Sequence, residues 1–182
     1  MRWRIAFVSL ATLLYPLVIY LGMGRVEPRW LSALLLLIVF ARAAIGRDPL
    51  WIAAAIGGLL LATASLLGNQ ILPLKLYPVL VSGVLLCVFG LSLRHPPSAI
   101  ERIARLREPN LPEAAIAYTR KVTIAWCLFF IGNGSIALLT ALWASDRTWV
   151  LYNGLVSYLL MGALFAGEWL VRRRVRAGMG HV

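Results

Sequence analysis

Six apolar runs, each close to the length that crosses a lipid bilayer, dominate this chain. They cover about residues 5–21, 30–45, 50–67, 72–93, 121–143 and 149–171. A helix rises about 1.5 Å per residue and the hydrocarbon core is about 30 Å thick, so roughly 18–20 apolar residues make one crossing. Backbone N–H and C=O groups find no water at that depth, and helices satisfy them internally. The runs therefore predict an all-α, polytopic membrane protein: six transmembrane helices in a single domain over residues 1–182. Composition agrees, since 61% of the residues are hydrophobic, against about 45–50% in a soluble domain. The first run begins after Arg2 and Arg4 and is followed by GMGRVEPRW, without a small-x-small cleavage pattern. It reads as an uncleaved signal anchor.

The basic residues orient the helices. With the N-terminus in the cytoplasm, fourteen of the eighteen Lys and Arg fall on the cytoplasmic side. Only Arg25, Arg29, Lys75 and Arg147 fall on the other. This is the positive-inside pattern of a bacterial inner-membrane protein with both termini cytoplasmic. The net charge of +11 then reflects topology and anionic lipid rather than nucleic acid. The seven tryptophans, Trp3, Trp30, Trp51, Trp126, Trp143, Trp149 and Trp169, all lie within about one turn of an expected helix end, where indole suits the membrane interface.

Polar chemistry concentrates in the loop over residues 94–120. Ser98 with Glu101 three positions on forms a capping box just after Pro96 and Pro97, which cannot continue the preceding helix. A short helix is expected from Ser98 to about Arg107. Its Ile100, Ile103 and Leu106 recur every three positions, with Arg102, Arg105 and Arg107 largely opposite. That pattern suits an amphipathic helix lying in the cytoplasmic headgroup plane between spans four and five. Glu108-Pro109 ends it. Asn110, Pro112 and Glu113 supply a second start, for a helix running through Tyr118 into the fifth span. Arg94, His95, Arg102, Arg105, Arg107, Arg120 and Lys121 together form a basic platform. It is the candidate site for anionic lipid or an acidic soluble partner.

Inside the spans, Asn133 (in GNGS) and Asn153 (in YNGL) are amides in need of partners across a helix interface. They are read either as interhelical hydrogen bonds or, with Tyr152, Ser157 and Tyr158, as the lining of a polar cavity. Glu168 is the only acidic residue inside a span. It precedes Arg172 by four, the favourable helix pair, and is otherwise a candidate proton or substrate group. The candidate intramembrane site is thus Asn133, Asn153, Tyr158 and Glu168. Lys75, in KLYP, is expected to snorkel outward or hold an anionic headgroup, and Arg42 to snorkel from the end of the second span. Ala53/Gly57, Ala54/Gly58 and Ala163/Gly167 are close-packing pairs, within the monomer or in a homo-oligomer. Cys87 and Cys127 read as inert packing. With two cysteines and two histidines, neither a metal site nor a cofactor is expected.

Four stretches, LKLYPVLVS, FGLSLRHPPSAIERIARL, EPNLPEAAIAYTRKVTIAWCLFFIGNGSIALLTALWAS and WVLYNGLVSYLLMGALFAGEWLVRRRVR, resemble a family of bacterial inner-membrane proteins encoded beside aryl-polyene (xanthomonadin-type) pigment genes. The resemblance covers about residues 72–176. It implies a setting among ketosynthases, carrier proteins and acyltransferases. The ketosynthase label carried by some members is not supported, because no Cys–His–His site is present. Acidic acyl carrier protein would complement the basic platform. The first expectation is accordingly a non-catalytic accessory or scaffold docking carrier protein or cytoplasmic enzymes. The second is a small transporter or flippase for a lipid-linked product. The third, an intramembrane acyl-transfer enzyme using His95, lacks a nucleophile–base–orienter set.

Overall fold

The computed structural model describes residues 14–22, 25–45, 49–106 and 108–179, with side chains described except at 38–54 and 174–179. These residues are helical almost throughout, without a strand. Helix α1 covers 14–22. It is followed by α2 (Pro28–Ile45), α3 (Pro49–Gly68), α4 (Leu72–Lys75), α5 (Tyr77–Arg94), α6 (Ala99–Arg105), α7 (Glu113–Trp143) and α8 (Asp146–Leu151). A π-helical turn (Tyr152–Val156) then leads into α9 (Ser157–Met179). Three stretches are long and apolar enough to cross a membrane: Leu72–Arg94, Glu113–Trp143 and Asp146–Arg173. Pro28–Leu37 and Ala55–Gly68 are shorter apolar helices. Part of the first apolar run, with Arg2, Arg4 and Trp3, lies outside the described residues, as do Arg47 and Arg107 and the side chains of Arg42 and Trp51.

The three long stretches alternate in direction. Lys75, before α5, pairs with Asp146, after α7. Tyr118, early in α7, bonds to the carbonyl of Glu168, late in α9. One end of the bundle therefore holds α6, Arg94, Arg120 and Arg172. It is called the basic end below. The opposite end holds Lys75 and Asp146. Helix α5 packs chiefly along α7, and α3 lies against both α2 and α5. Gly57 lets α3 approach: a Cβ there would sit 2.6 Å from Leu80 Cδ1.

Local sequence explains most helix ends. Ser145 caps α8, its Oγ accepting from Thr148 N at 3.2 Å. The connection from α7 is only Ala144 and Ser145, so two long helices turn back with little loop. Ser98 holds the cap position of α6, and Glu101 Oε2 accepts its N–H at 3.3 Å, while Ser98 Oγ has no hydrogen-bond partner among the described residues. The next donors of α6 are satisfied by its neighbours, Ala99 N by Ser92 Oγ (2.8 Å) and Ile100 N by Thr123 Oγ1 (3.4 Å). The start of α7 differs from expectation. Pro112, not Asn110, holds the cap position with extended backbone, and its carbonyl accepts from Ile116 N at 3.1 Å. Proline presets φ there and has no N–H to lose. At 31 residues, α7 is about 46 Å long, longer than the hydrocarbon core alone requires.

Two apolar clusters fill the bundle. Near the opposite end, Tyr15, Ile19, Leu31, Leu35, Leu74, Tyr77 and Trp149 are buried together. Near the basic end, Val122, Trp126 and Phe130 pack with Phe89, Phe129 and Met161. Two tryptophans thus depart from the interfacial expectation. Trp149 is 0% and Trp126 4% exposed, whereas Trp30, Trp143 and Trp169 stay exposed. The reason is a partner for each ring. Trp149 Nε1 donates to Lys75 O at 3.2 Å. Trp126 lies 4.6–6.4 Å, centroid to centroid, from Phe89, Phe129, Phe130 and Phe165.

Candidate functional site

Between the two apolar clusters runs a layer of buried polar side chains. It starts with Gly134. A Cβ at that position would lie 3.1 Å from Ser82 Cβ, so glycine lets α5 and α7 come together there. Ser82 Oγ then accepts from Asn133 Nδ2 at 3.2 Å. The other flanking glycine, Gly132, meets nothing within 4 Å. Tyr152 OH donates to Asn133 Oδ1 at 3.1 Å, so one amide joins α5, α7 and the π turn.

Asn153 is the second node. Its Nδ2 donates to Trp149 O (2.9 Å) and to Thr140 Oγ1 on α7 (3.2 Å). The extra residue of a π turn shifts the register of the side chains that follow, and such turns recur at functional sites. Here the turn places Tyr152 and Asn153 toward α7 together, although they are adjacent in sequence. Asn153 is 3% exposed, and its Oδ1 has no hydrogen-bond partner among the described residues. A buried amide oxygen left unpaired costs about 1–3 kcal/mol.

Asn133 and Asn153 line a partly open cavity between α1, α5, α7 and α9. Its polar wall is completed by Ser82, Ser157, Tyr15, Tyr77 and Tyr158, and its apolar wall includes Val81, Leu85, Phe130 and Met161. About 70 Å³ of it is open to the centre of a water molecule. The Tyr15 and Tyr77 rings, 4.8 Å apart, close it toward the opposite end. Tyr15 OH is anchored on Leu74 O at 3.0 Å. The arrangement can hold a small polar group by hydrogen bonds.

Of the intramembrane candidates, Asn133, Asn153 and Tyr158 meet at this cavity, and Glu168 does not line it. Glu168 lies at the basic end, its Oε1 2.6 Å from Arg172 Nη2 and within 3.5 Å of Tyr118 OH. The sequence reading missed Ser82, Thr140, Tyr15 and Tyr77. Ser82 carried a signal, as a hydroxyl within an apolar run; the others depend on which helices become neighbours.

Lys75 neither snorkels outward nor stands free for a headgroup. Its side chain is 8% exposed, with Nζ 2.9 Å from Asp146 Oδ1 and 5.9 Å from the Trp149 ring centroid. The short α4 turns the ammonium back under α8, where a carboxylate awaits it.

At the basic end the arginines serve the loop itself. Arg102 donates to Pro97 O (2.9 Å) and His95 O (3.4 Å), and Arg120 to Leu93 O (3.1 Å). Arg105 holds Glu101 through Nε and Nη2 at 2.9 and 2.8 Å and Pro109 O through Nη1 at 3.0 Å. His95 Nδ1 lies 3.3 Å from Leu91 O. Arg94 and Lys121 have no hydrogen bond or ion pair among the described residues. The apolar stripe of α6 divides. Ile100 turns toward α7, while Ile103 and Leu106 are 60% and 85% exposed. No group of three or more His, Cys, Asp or Glu that could bind a metal occurs among the described residues. No protein family, curated protein or solved structure matches the chain.

Proposed function

We propose that the chain is a six-span protein of a bacterial inner membrane, both termini cytoplasmic, that holds an apolar-chain amphiphile at mid-membrane. It acts as a small carrier or flippase beside an acyl-chain, aryl-polyene-type biosynthetic system. The observation that carries this reading is the cavity at Asn133 and Asn153. Buried polar groups are expensive at that depth and default to a functional reading when they face a cavity. The half-buried Tyr158 and the polar–apolar division of the walls suit one end of an amphiphile and the start of its chain.

The scaffold reading, in which carrier protein or enzymes dock on the basic end, is the second one. Arg94 and Lys121 favour it, since both are exposed and without partners among the described residues. It is weakened because Arg102, Arg105 and Arg120 hold loop carbonyls and Glu101. Acyl transfer by His95 has the least support, because no cysteine, serine or carboxylate among the described residues is bonded to its ring.

The test is lipid and metabolite analysis of a deletion strain complemented with wild type, with Asn133→Leu and with the charge reversal Arg94→Glu/Lys121→Glu. The carrier reading expects Asn133→Leu to leave the product made but confined to the inner leaflet. Normal product location in Asn133→Leu, with loss of the product itself in the charge reversal, would overturn it in favour of the scaffold.

A further inference from the structure

We infer that the polar end bound in this cavity is small and uncharged, a hydroxyl or amide on a single apolar chain, and that the chain runs toward the basic end of the bundle. The inference rests on the reading of the cavity as an amphiphile site, and it names the chemistry that site selects.

Charge narrows the head first. None of the described residues that line the cavity is Lys, Arg, His, Asp or Glu. Two intramolecular ion pairs lie in the end regions of the three long stretches, Lys75–Asp146 and Glu168–Arg172, and each is already matched with its counter-ion. An anionic or cationic head would enter without a counter-charge. Burial of an uncompensated charge at membrane depth costs at least about 2.5–3.5 kcal/mol.

Hydrogen-bonding capacity narrows the head further. Asn133 already donates to Ser82 and accepts from Tyr152. Asn153 uses its N–H groups twice and leaves Oδ1 over. Ser157 Oγ and Tyr158 OH have no hydrogen bond among the described residues. The wall thus presents the unpaired Asn153 Oδ1 as an acceptor, beside the Ser157 and Tyr158 hydroxyls, which donate and accept. A ligand hydroxyl or amide supplies a donor to Asn153 Oδ1 and an acceptor to either hydroxyl. A group with acceptors alone leaves Asn153 Oδ1 unpaired.

Size and direction follow from the walls. A water needs about 10–15 Å³ of such space, so the 70 Å³ here admits a head of a few heavy atoms. Leu85, Phe130 and Met161 all lie on the basic-end side of the polar layer, because α5 and α9 run toward that end and α7 away from it. The Tyr15–Tyr77 pair blocks the other direction.

The test uses full-length protein in nanodiscs and four probes sharing one 16-carbon chain with a diazirine near the head. Their heads are a primary alcohol, a primary amide, a sulfate and a phosphate. After irradiation, labelled peptides are mapped by mass spectrometry. Alcohol and amide should label saturably at peptides bearing Leu85, Phe130 or Met161, and excess unlabelled alcohol should compete. Sulfate and phosphate should label there at least about fifty-fold more weakly. Ser157→Ala, and separately Asn153→Leu, should weaken alcohol labelling about five-fold. Melting curves confirm that each variant is folded, and Ser157→Ala carries the test if Asn153→Leu is not. Equal labelling by the sulfate probe would overturn the inference and leave the amphiphile reading intact. Absence of saturable labelling by every head would remove the amphiphile reading and this inference with it.

Discussion

Asn133 bonds to two different elements at once, so its removal is felt on both. In Asn133→Leu, Ser82 Oγ loses a donor and Tyr152 OH an acceptor, inside an apolar bundle. Stability should fall by about 1–2 kcal/mol, read as a lower midpoint of thermal or SDS-induced unfolding. A double-mutant cycle with Ser82→Ala should give a coupling near 0.6 kcal/mol, the average for bonds of this kind between membrane helices. The Lys75–Asp146 pair makes an asymmetric prediction. Lys75 is buried and Asp146 half-exposed, with side chains 8% and 54% accessible. Asp146→Asn leaves an ammonium without its counter-charge under Trp149. Lys75→Met leaves a carboxylate that water can reach. Asp146→Asn should therefore be the more destabilising of the two, by about 1.5–3 kcal/mol relative to wild type. An equal effect of the two substitutions would show that burial of the cation is not what matters.

Helices meet here through particular small residues, and their positions separate otherwise identical substitutions. Gly134→Val drives a branched side chain into Ser82 and should part α5 from α7, at about 1–3 kcal/mol of overpacking. Gly132→Val meets open space and should unfold at the wild-type midpoint within error. The same contrast marks how far these elements were legible beforehand. The long apolar runs, the Ser98–Glu101 cap and the Glu168–Arg172 pair are local patterns, fixed within four residues by helix geometry. The α7 start lies at Pro112 rather than Asn110, two residues later than cap preference suggests, within the range over which helix ends are set by more than local sequence. Lys75 and Asp146 are 71 positions apart, and a partner at that range is set by topology. Trp126 and Trp149 lie where an interfacial ring is expected, and only the packing of neighbouring helices turns them inward. The π turn left no mark in YNGLV beyond its asparagine and glycine. It nonetheless brings Tyr152 onto Asn133 and Asn153 into the cavity wall.

Over the whole molecule, polarity is sorted along the bundle axis. One end carries α6 with its arginines, the C-terminal turns of α5 and the basic run that begins at Arg172; the other carries the Lys75–Asp146 pair and the short turn at Ser145. The cavity sits between them, with Leu85, Phe130 and Met161 on its basic side. The six-span proposal makes this axis the membrane normal and puts the basic end in the cytoplasm, because lysine and arginine resist translocation when they lie close to a span. Ile103 and Leu106, exposed beside those arginines, then rest at the depth of the inner headgroups. Two single cysteines decide the orientation, in a background where Cys87 and Cys127 are replaced by serine. With a membrane-impermeant maleimide on intact spheroplasts, Arg147→Cys should be labelled at once. Leu106→Cys should be labelled only after the membrane is opened. Labelling of Leu106→Cys from outside would invert the axis. The arginines would then face away from every cytoplasmic partner, and Leu85, Phe130 and Met161 would lie on the outer-leaflet side of the cavity.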